Sequence, residues 1–117
     1  MTGKELQALR KFCMLDVREA AEIIGKVSAR SWQYWESGRS PVPDDVEDMM
    51  NGLMTQRQYM LEEAKLRIEE ADSVISLPFY VTHGEFAKDN TGQGVIPWRL
   101  SQSVAGELYA SGLAILI

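Results

Sequence analysis

Residues 16 to 39, DVREAAEIIGKVSARSWQYWESGR, decide how this chain reads. Asp16 and Glu19 stand three apart, so the Asp16 carboxylate can accept the backbone N–H of Glu19 while the Glu19 side chain reaches back to the N–H of Asp16. This is a capping box with Asp in the Ser/Thr place. Val17, Ala20, Ala21 and Ile24 then follow at helical spacing, and Gly25 is the residue expected to take a left-handed conformation at the helix end. After Lys26 and Val27, Ser28 can cap a second helix. Its inward face is expected to be Trp32 and Trp35, joined by Ala29, and its outer face carries Arg30, Ser31, Gln33 and Tyr34.

Two short helices joined by a tight turn are the layout of a helix-turn-helix. Hydrogen-bonding side chains crowded onto the exposed first turns of the second helix suit base edges in a major groove, where Arg commonly reads guanine and Gln adenine. Ala21 matters because helices crossing steeply need a small residue at the contact. The competing account is a plain helical hairpin with core tryptophans and solvated polar residues. It does not explain why box, small Ala, turn Gly and a basic outer face occur together.

At Ala21, Gly25, Trp32, Trp35, Glu36 and Gly38 the chain resembles the Cro/repressor-like DNA-binding domains. One departure is that Gly25 and Trp35 are one residue further apart than is usual in that group, which places an extra residue around Lys26. Over nearly its whole length, from EAAEIIGKVSARSWQYWESGRSPVP through a long helix to a mixed C-terminal region, the chain is similar to the YdiL-like family that includes anti-CRISPR-associated autorepressors. The resemblance implies a dimeric transcription factor on an inverted repeat, with the second helix in the groove. For some members it implies action on the transcript as well.

Composition sets outer limits. A chain of 117 residues with 45% hydrophobic content can bury one core or two small ones. A single Cys, Cys13, excludes an intramolecular disulfide and reads as a core thiol, and a single His, His83, leaves no metal cluster. No cofactor is expected. With no long apolar run and no signal-peptide pattern, the expectation is a soluble cytoplasmic protein.

A net charge of −5 argues at first against nucleic acid, but its distribution answers the objection. Residues 1 to 42 hold seven basic side chains (Lys4, Arg10, Lys11, Arg18, Lys26, Arg30, Arg39) and five acidic ones, while the remainder holds five basic and twelve acidic. Phosphate attraction is screened within about 8 Å at physiological salt, so a basic N-terminal face can act while an acidic body stays away.

Around the central stretch, residues 2 to 14 predict a helix capped by Thr2, with Leu6, Leu9, Phe12 and Cys13 on one face. SGRSPV is a loop, and Pro43 opens a long helix to about Ala71 with an acid-rich start that suits the helix dipole. Val46, Met49, Met50, Leu53, Met54, Met60, Leu61, Ala64 and Ile68 form its apolar stripe, with Gly52 as a place for a bend. The acidic residues Glu62, Glu63, Glu69, Glu70 and Asp72 read as a solvated face rather than as catalytic carboxylates. Residues 74 to 81, VISLPFYV, predict a strand that Pro78 confines to an edge or bulge. HGEFAKDNTGQG reads as a loop, Pro97 starts a helix ending at Gly112, and LAILI is a buried terminal strand. Tyr80, His83 and Tyr109 read as packing rather than as a ligand pocket.

The expectation is therefore an α+β protein. Residues 1–52 form a helix-turn-helix domain, and residues 53–117 form a long helix plus strand-helix-strand dimerisation region, since a two-stranded sheet is marginal alone. As a homodimeric repressor, and not an enzyme, it would bind an inverted repeat in double-stranded DNA. Arg30, Ser31, Gln33 and Tyr34 are the candidates for base edges, and Arg18, Lys26 and Arg39 for phosphates. Two other readings stand beside it. One is an antitoxin-like interaction module; the other is RNA binding, with Tyr34 as a stacking ring.

Overall fold

The computed structural model describes residues 1–117 and is mostly helical, with one small parallel sheet. Its elements are α1 (Gly3–Phe12), α2 (Val17–Glu19) running on as a π-helix (Ala20–Gly25), α3 (Ala29–Ser37), α4 (Asp44–Ala71), β1 (Ile75–Leu77), α5 (His83–Asp89), α6 (Val95–Ala110) and β2 (Ala114–Leu116). The chain divides into two compact units, Met1–Thr55 and Gln56–Ile117, and α4 contributes residues to both.

In the first unit both capping boxes form. Thr2 Oγ1 accepts from Glu5 N at 3.1 Å while Glu5 accepts from Thr2 N at 2.7 Å. Asp16 accepts from Glu19 N at 2.7 Å and Glu19 from Asp16 N at 3.0 Å. Leu6, Cys13, Leu15, Ala20, Ala21, Ile24, Trp32, Val46 and Met50 are buried. Several inward positions differ from the helical-stripe expectation: Phe12 is 49% exposed and Arg10 is buried in its place. Ala29 is exposed and Trp35 only half-buried, tilted 59° against Trp32 at 5.4 Å. Periodicity counts Arg as polar, but here its charge has a partner inside.

That partner is Glu36. Arg10 Nε donates to Glu36 Oε2 at 2.6 Å and Nη2 to Oε1 at 3.1 Å, a bidentate pair, while Nη1 donates to the Leu15 carbonyl at 3.0 Å. Trp32 Nε1 also donates to Glu36 Oε2 at 2.5 Å. Both charged side chains are more than nine-tenths covered. Burial pushes the Glu36 carboxyl up, but the hydrogen bonds from Arg10 and Trp32, the Arg10 charge and a hydrogen bond from Gln7 outweigh it and hold the group below its ordinary 4.5. The pair fastens α1 to α3. Gly3 makes the same contact possible at the other end, because a Cβ there would lie 2.4 Å from the Trp35 and Glu36 carbonyl oxygens.

The turn between the second and third helices corrects the expectation for Gly25. The left-handed residue is Lys26, at φ 53° and ψ 44°. Gly25 is needed for space instead: a Cβ would meet Trp35 Cζ3 at 3.0 Å, and Trp32 Cε3 and Val27 Cγ2 at 3.1 Å. The additional residue foreseen around Lys26 is taken up before it, in the wide π turn, where the Lys26 and Val27 N–H groups both donate to the Ala21 carbonyl.

In the second unit Leu61, Ala64, Val104, Leu108 and Ala114 form the core, with Met60, Ile68, Ile75, Leu77 and Leu113 against it. On the part of α4 that belongs to the first unit, Met49 departs from the expected stripe and is 44% exposed. Arg57 lies buried on the inner side of α4, where Nε donates to Ser103 Oγ at 2.8 Å and Nη2 to Glu107 at 2.9 Å. The strand expected over 74–81 is only Ile75–Leu77, paired parallel to β2 with Ile75 opposite Ala114. The terminal strand is not buried as expected: only Ala114 is buried, while Ile115 and Ile117 are exposed because no helix covers the outer face of the two-stranded sheet. Ile75 and Phe79 N–H groups both donate to β2-side carbonyls, so Pro78 falls where an N–H would face the open edge.

Half of the expected loop after residue 82 is α5. Thr82 Oγ1 accepts from Glu85 N at 3.1 Å and Phe86 is buried beneath. α6 begins at Val95, so Pro97 lies in the first turn, where its missing N–H costs nothing. Gly112, at φ 74°, follows its end.

Removing one partner of a buried ion pair leaves the other charge unpaired, so Glu36→Gln is expected to cost about 3–5 kcal/mol. Because the folded carboxyl sits below its ordinary value, its stabilisation is complete above that value and lost as pH falls through the lowered one. The melting temperature of the parent protein should therefore fall as pH drops below 4.5, with a shallower dependence in the variant. Gly25→Ala should lose about 1–3 kcal/mol to overpacking, whereas Lys26→Gly should be neutral or gain up to about 1 kcal/mol by relieving the left-handed residue. Urea unfolding of the two variants distinguishes space from backbone conformation as the reason for the glycine.

Candidate nucleic-acid interface

The outer face of α3 is set by its cap and by what its inner face must bury. Ser28 Oγ accepts from Ser31 N at 3.2 Å and fixes where the helix begins. With Trp32 and Glu36 turned inward, the 3.6-residue repeat brings Arg30, Tyr34 and Ser37 to the opposite side and leaves Gln33 on a flank. Arg30 and Gln33 are exposed, and Tyr34 and Ser31 are half-buried.

Arg30 and Tyr34 are one turn apart and joined: Arg30 Nε donates to Tyr34 Oη at 2.8 Å. From the segment after α3, Arg39 lays its guanidinium over the Tyr34 ring, with Cζ 4.3 Å from the centroid. Ser37 steadies that segment, its Oγ donating to the Tyr34 carbonyl at 3.2 Å and accepting from Arg39 N at 3.4 Å. Tyr34 thus sits between two guanidiniums, an arrangement the sequence reading missed. Its signal was available in the four-residue spacing of Arg30 and Tyr34 on one helix.

The remaining candidates are arranged differently. The Ser31 side chain is engaged with the cap, accepting from Ser28 Oγ at 3.2 Å. Gln33 stands on the other flank of α3, at a small hollow shared with Gln7, Arg10, Val17, Glu36 and Ser37. Arg18 is exposed and reaches its helical neighbour Glu22 at 3.7 Å, a loose surface pair. Lys26 is exposed at the turn before α3. The structure brings Arg30, Tyr34 and Arg39 into direct contact, and no such contact joins Arg18, Lys26 or Gln33 to them.

Of the residues read as packing in the second unit, Tyr80 lines an open groove of about 680 Å³ with Met60, Ala64, Phe86 and Val104, and its hydroxyl donates to Asp89 at 2.8 Å. That hydrogen bond, with burial and the Asp89 charge, raises the Tyr80 hydroxyl above its ordinary value. His83 Nε2 lies 2.9 Å from the Gln93 carbonyl, and its ring lies 5.9 Å from that of Trp98. Tyr109, contrary to expectation, is 61% exposed. No three His, Cys, Asp or Glu side chains gather as a metal site, and no helix is long and apolar enough to cross a membrane.

The chain is 56% identical over 117 residues, the whole of both chains, to the Aca2 repressor of Pectobacterium phage ZF40. It is 31% identical over 114 residues, 97% of each chain, to the protein YdiL of Escherichia coli (strain K12). A model of the Aca2/YdiL-like family matches residues 1–117, and the chain belongs to that family.

Proposed function

We propose that residues 16 to 38 form a helix-turn-helix of the Cro/repressor type and that the protein is a sequence-specific DNA-binding transcriptional repressor. The observation that carries this reading is α3 itself, where Arg30 on the outer face and Gln33 on a flank are exposed on a helix whose inner face is clamped to α1 through Arg10 and Glu36. A rigid helix presenting donors is what base recognition in a major groove requires. The relative at 56% identity bears the name of a repressor, which supports the regulatory sense. Arg30 and Gln33 would meet base edges, with Ser31 and Tyr34 beside them, while Arg18, Lys26 and Arg39 would hold phosphates and set register.

The second unit would supply the dimer. Val74, Ile115 and Ile117 are 49%, 57% and 74% exposed. Ile115 and Ile117 alternate along the β2 side, and Ser76 pairs with Ile115, which puts Val74 on the same sheet face. A two-stranded sheet with an apolar outer face is stabilised by a second copy, and a symmetric dimer would present two α3 helices about 34 Å apart to an inverted repeat.

Binding is measured with DNA from just upstream of the gene against random DNA at physiological salt. Two chains on an inverted repeat, well above the random control, are expected; equal affinity for both would refute the reading. Arg30→Ala should lose about 1–3 kcal/mol on the operator and relax discrimination at one base pair. Lys26→Ala should weaken every sequence alike and lower the salt slope by about one. Ile115→Asp should yield monomers by analytical ultracentrifugation and lose operator binding with them.

A further inference from the structure

We propose that Tyr34 is a positioning residue for Arg30, committing that guanidinium to an end-on reading of guanine, rather than a reader of bases itself. This rests on the reading of α3 as the groove helix and deepens it.

An arginine side chain can offer a carboxylate or a base two kinds of donor pair, a side-on pair that includes Nε and an end-on pair made of Nη1 and Nη2. In this protein Nε is already committed to the Tyr34 hydroxyl at 2.8 Å. What remains to be used is the end-on fork, which matches the O6 and N7 acceptors on the major-groove edge of guanine. Long exposed arginines otherwise give up considerable rotamer freedom on binding. The tether removes part of that cost before DNA arrives.

Tyr34 is itself held. Arg39 covers its ring at 4.3 Å, and Ser37 links the backbone of Tyr34 to that of Arg39. The chain Arg39, Tyr34, Arg30 therefore runs from the segment after α3 to its first turn. It places one cation toward the helix start and another beyond the helix end. With its ring covered on one side and its hydroxyl accepting from Arg30, Tyr34 acts through the arginines.

Phenylalanine at position 34 separates the two functions, since it keeps a ring for Arg39 and removes the acceptor for Arg30 Nε. Parent, Tyr34→Phe, Arg30→Ala and the double variant would be titrated with the best site selected from a randomised duplex pool and with random duplex, each after its melting temperature has been recorded. Tyr34→Phe is expected to weaken the selected site about three- to tenfold, the worth of one hydrogen bond, to leave random DNA unaffected, and to cost nothing further in the Arg30→Ala background. Replacing the guanines of the site singly by 7-deazaguanine, which lacks the N7 acceptor, should reveal one position where the parent loses affinity and Tyr34→Phe loses less.

Undiminished affinity of Tyr34→Phe, or losses from the two single variants that simply add, would overturn the positioning role while leaving α3 as the reading helix. A parent protein that selects no site would overturn the groove reading and this inference together.

Discussion

Taking a carboxylate and a guanidinium out of water costs several kcal/mol for each ion, and only close geometry with every remaining donor satisfied offsets it. Glu36 and Arg10 meet that condition. The carboxylate takes Arg10 Nε and Nη2 and Trp32 Nε1, and the third arm of the guanidinium goes to the Leu15 carbonyl. Four positions from α1, the following turn and α3 are thereby fixed to one another. The orientation of the outer face of α3 follows, because a helix whose Trp32 and Glu36 are committed inward has no freedom to roll. An apolar pair at the same positions would bury as well but would accept several rotations.

The segment between α2 and α3 shows how one additional residue is accommodated. Lengthening the turn would move the Ser28 cap and with it the start of α3. Widening the helix at Ala20–Gly25 instead leaves Gly25 against both tryptophan rings and lets Lys26 make the single left-handed step. The cost is a backbone conformation that a lysine adopts reluctantly. The return is that Ser28 caps at Ser31 and Arg30 lies on the first exposed turn.

The second unit solves a different problem with similar means. A two-stranded sheet and three helical segments have little apolar volume, and a buried cation, Arg57, crosslinks α4 to α6 through Ser103 and Glu107. Trp98 and Gln102 both donate to the Tyr80 carbonyl at 2.8 Å, which fixes the path of the chain between β1 and α5. Both units thus use an arginine where a sequence of this length has few large apolar residues to spare.

Local signals in the sequence determined much of this protein. Capping boxes at Thr2 and Asp16, the Ser28 cap, the long acid-started helix and the terminal strand involve residues within a few positions of one another, so their chemistry is visible in one dimension. The outer face of α3 was legible for the same reason. α5 was overlooked because Gly84, Asn90 and Gly92 suggest a loop by composition, although Thr82 and Glu85 already carried a helix start and Phe86 an inward anchor. Tertiary structure alone decided the rest. Arg10 and Glu36 are 26 residues apart, and no periodicity announces that two charges will be buried together. Gly25 looks like a left-handed cap until the rings of Trp32 and Trp35 are found against it, and Arg39 looks like a free cation until it lies over Tyr34. Short-range hydrogen bonds are written in spacing, whereas burial and ring contacts depend on where the chain returns to itself.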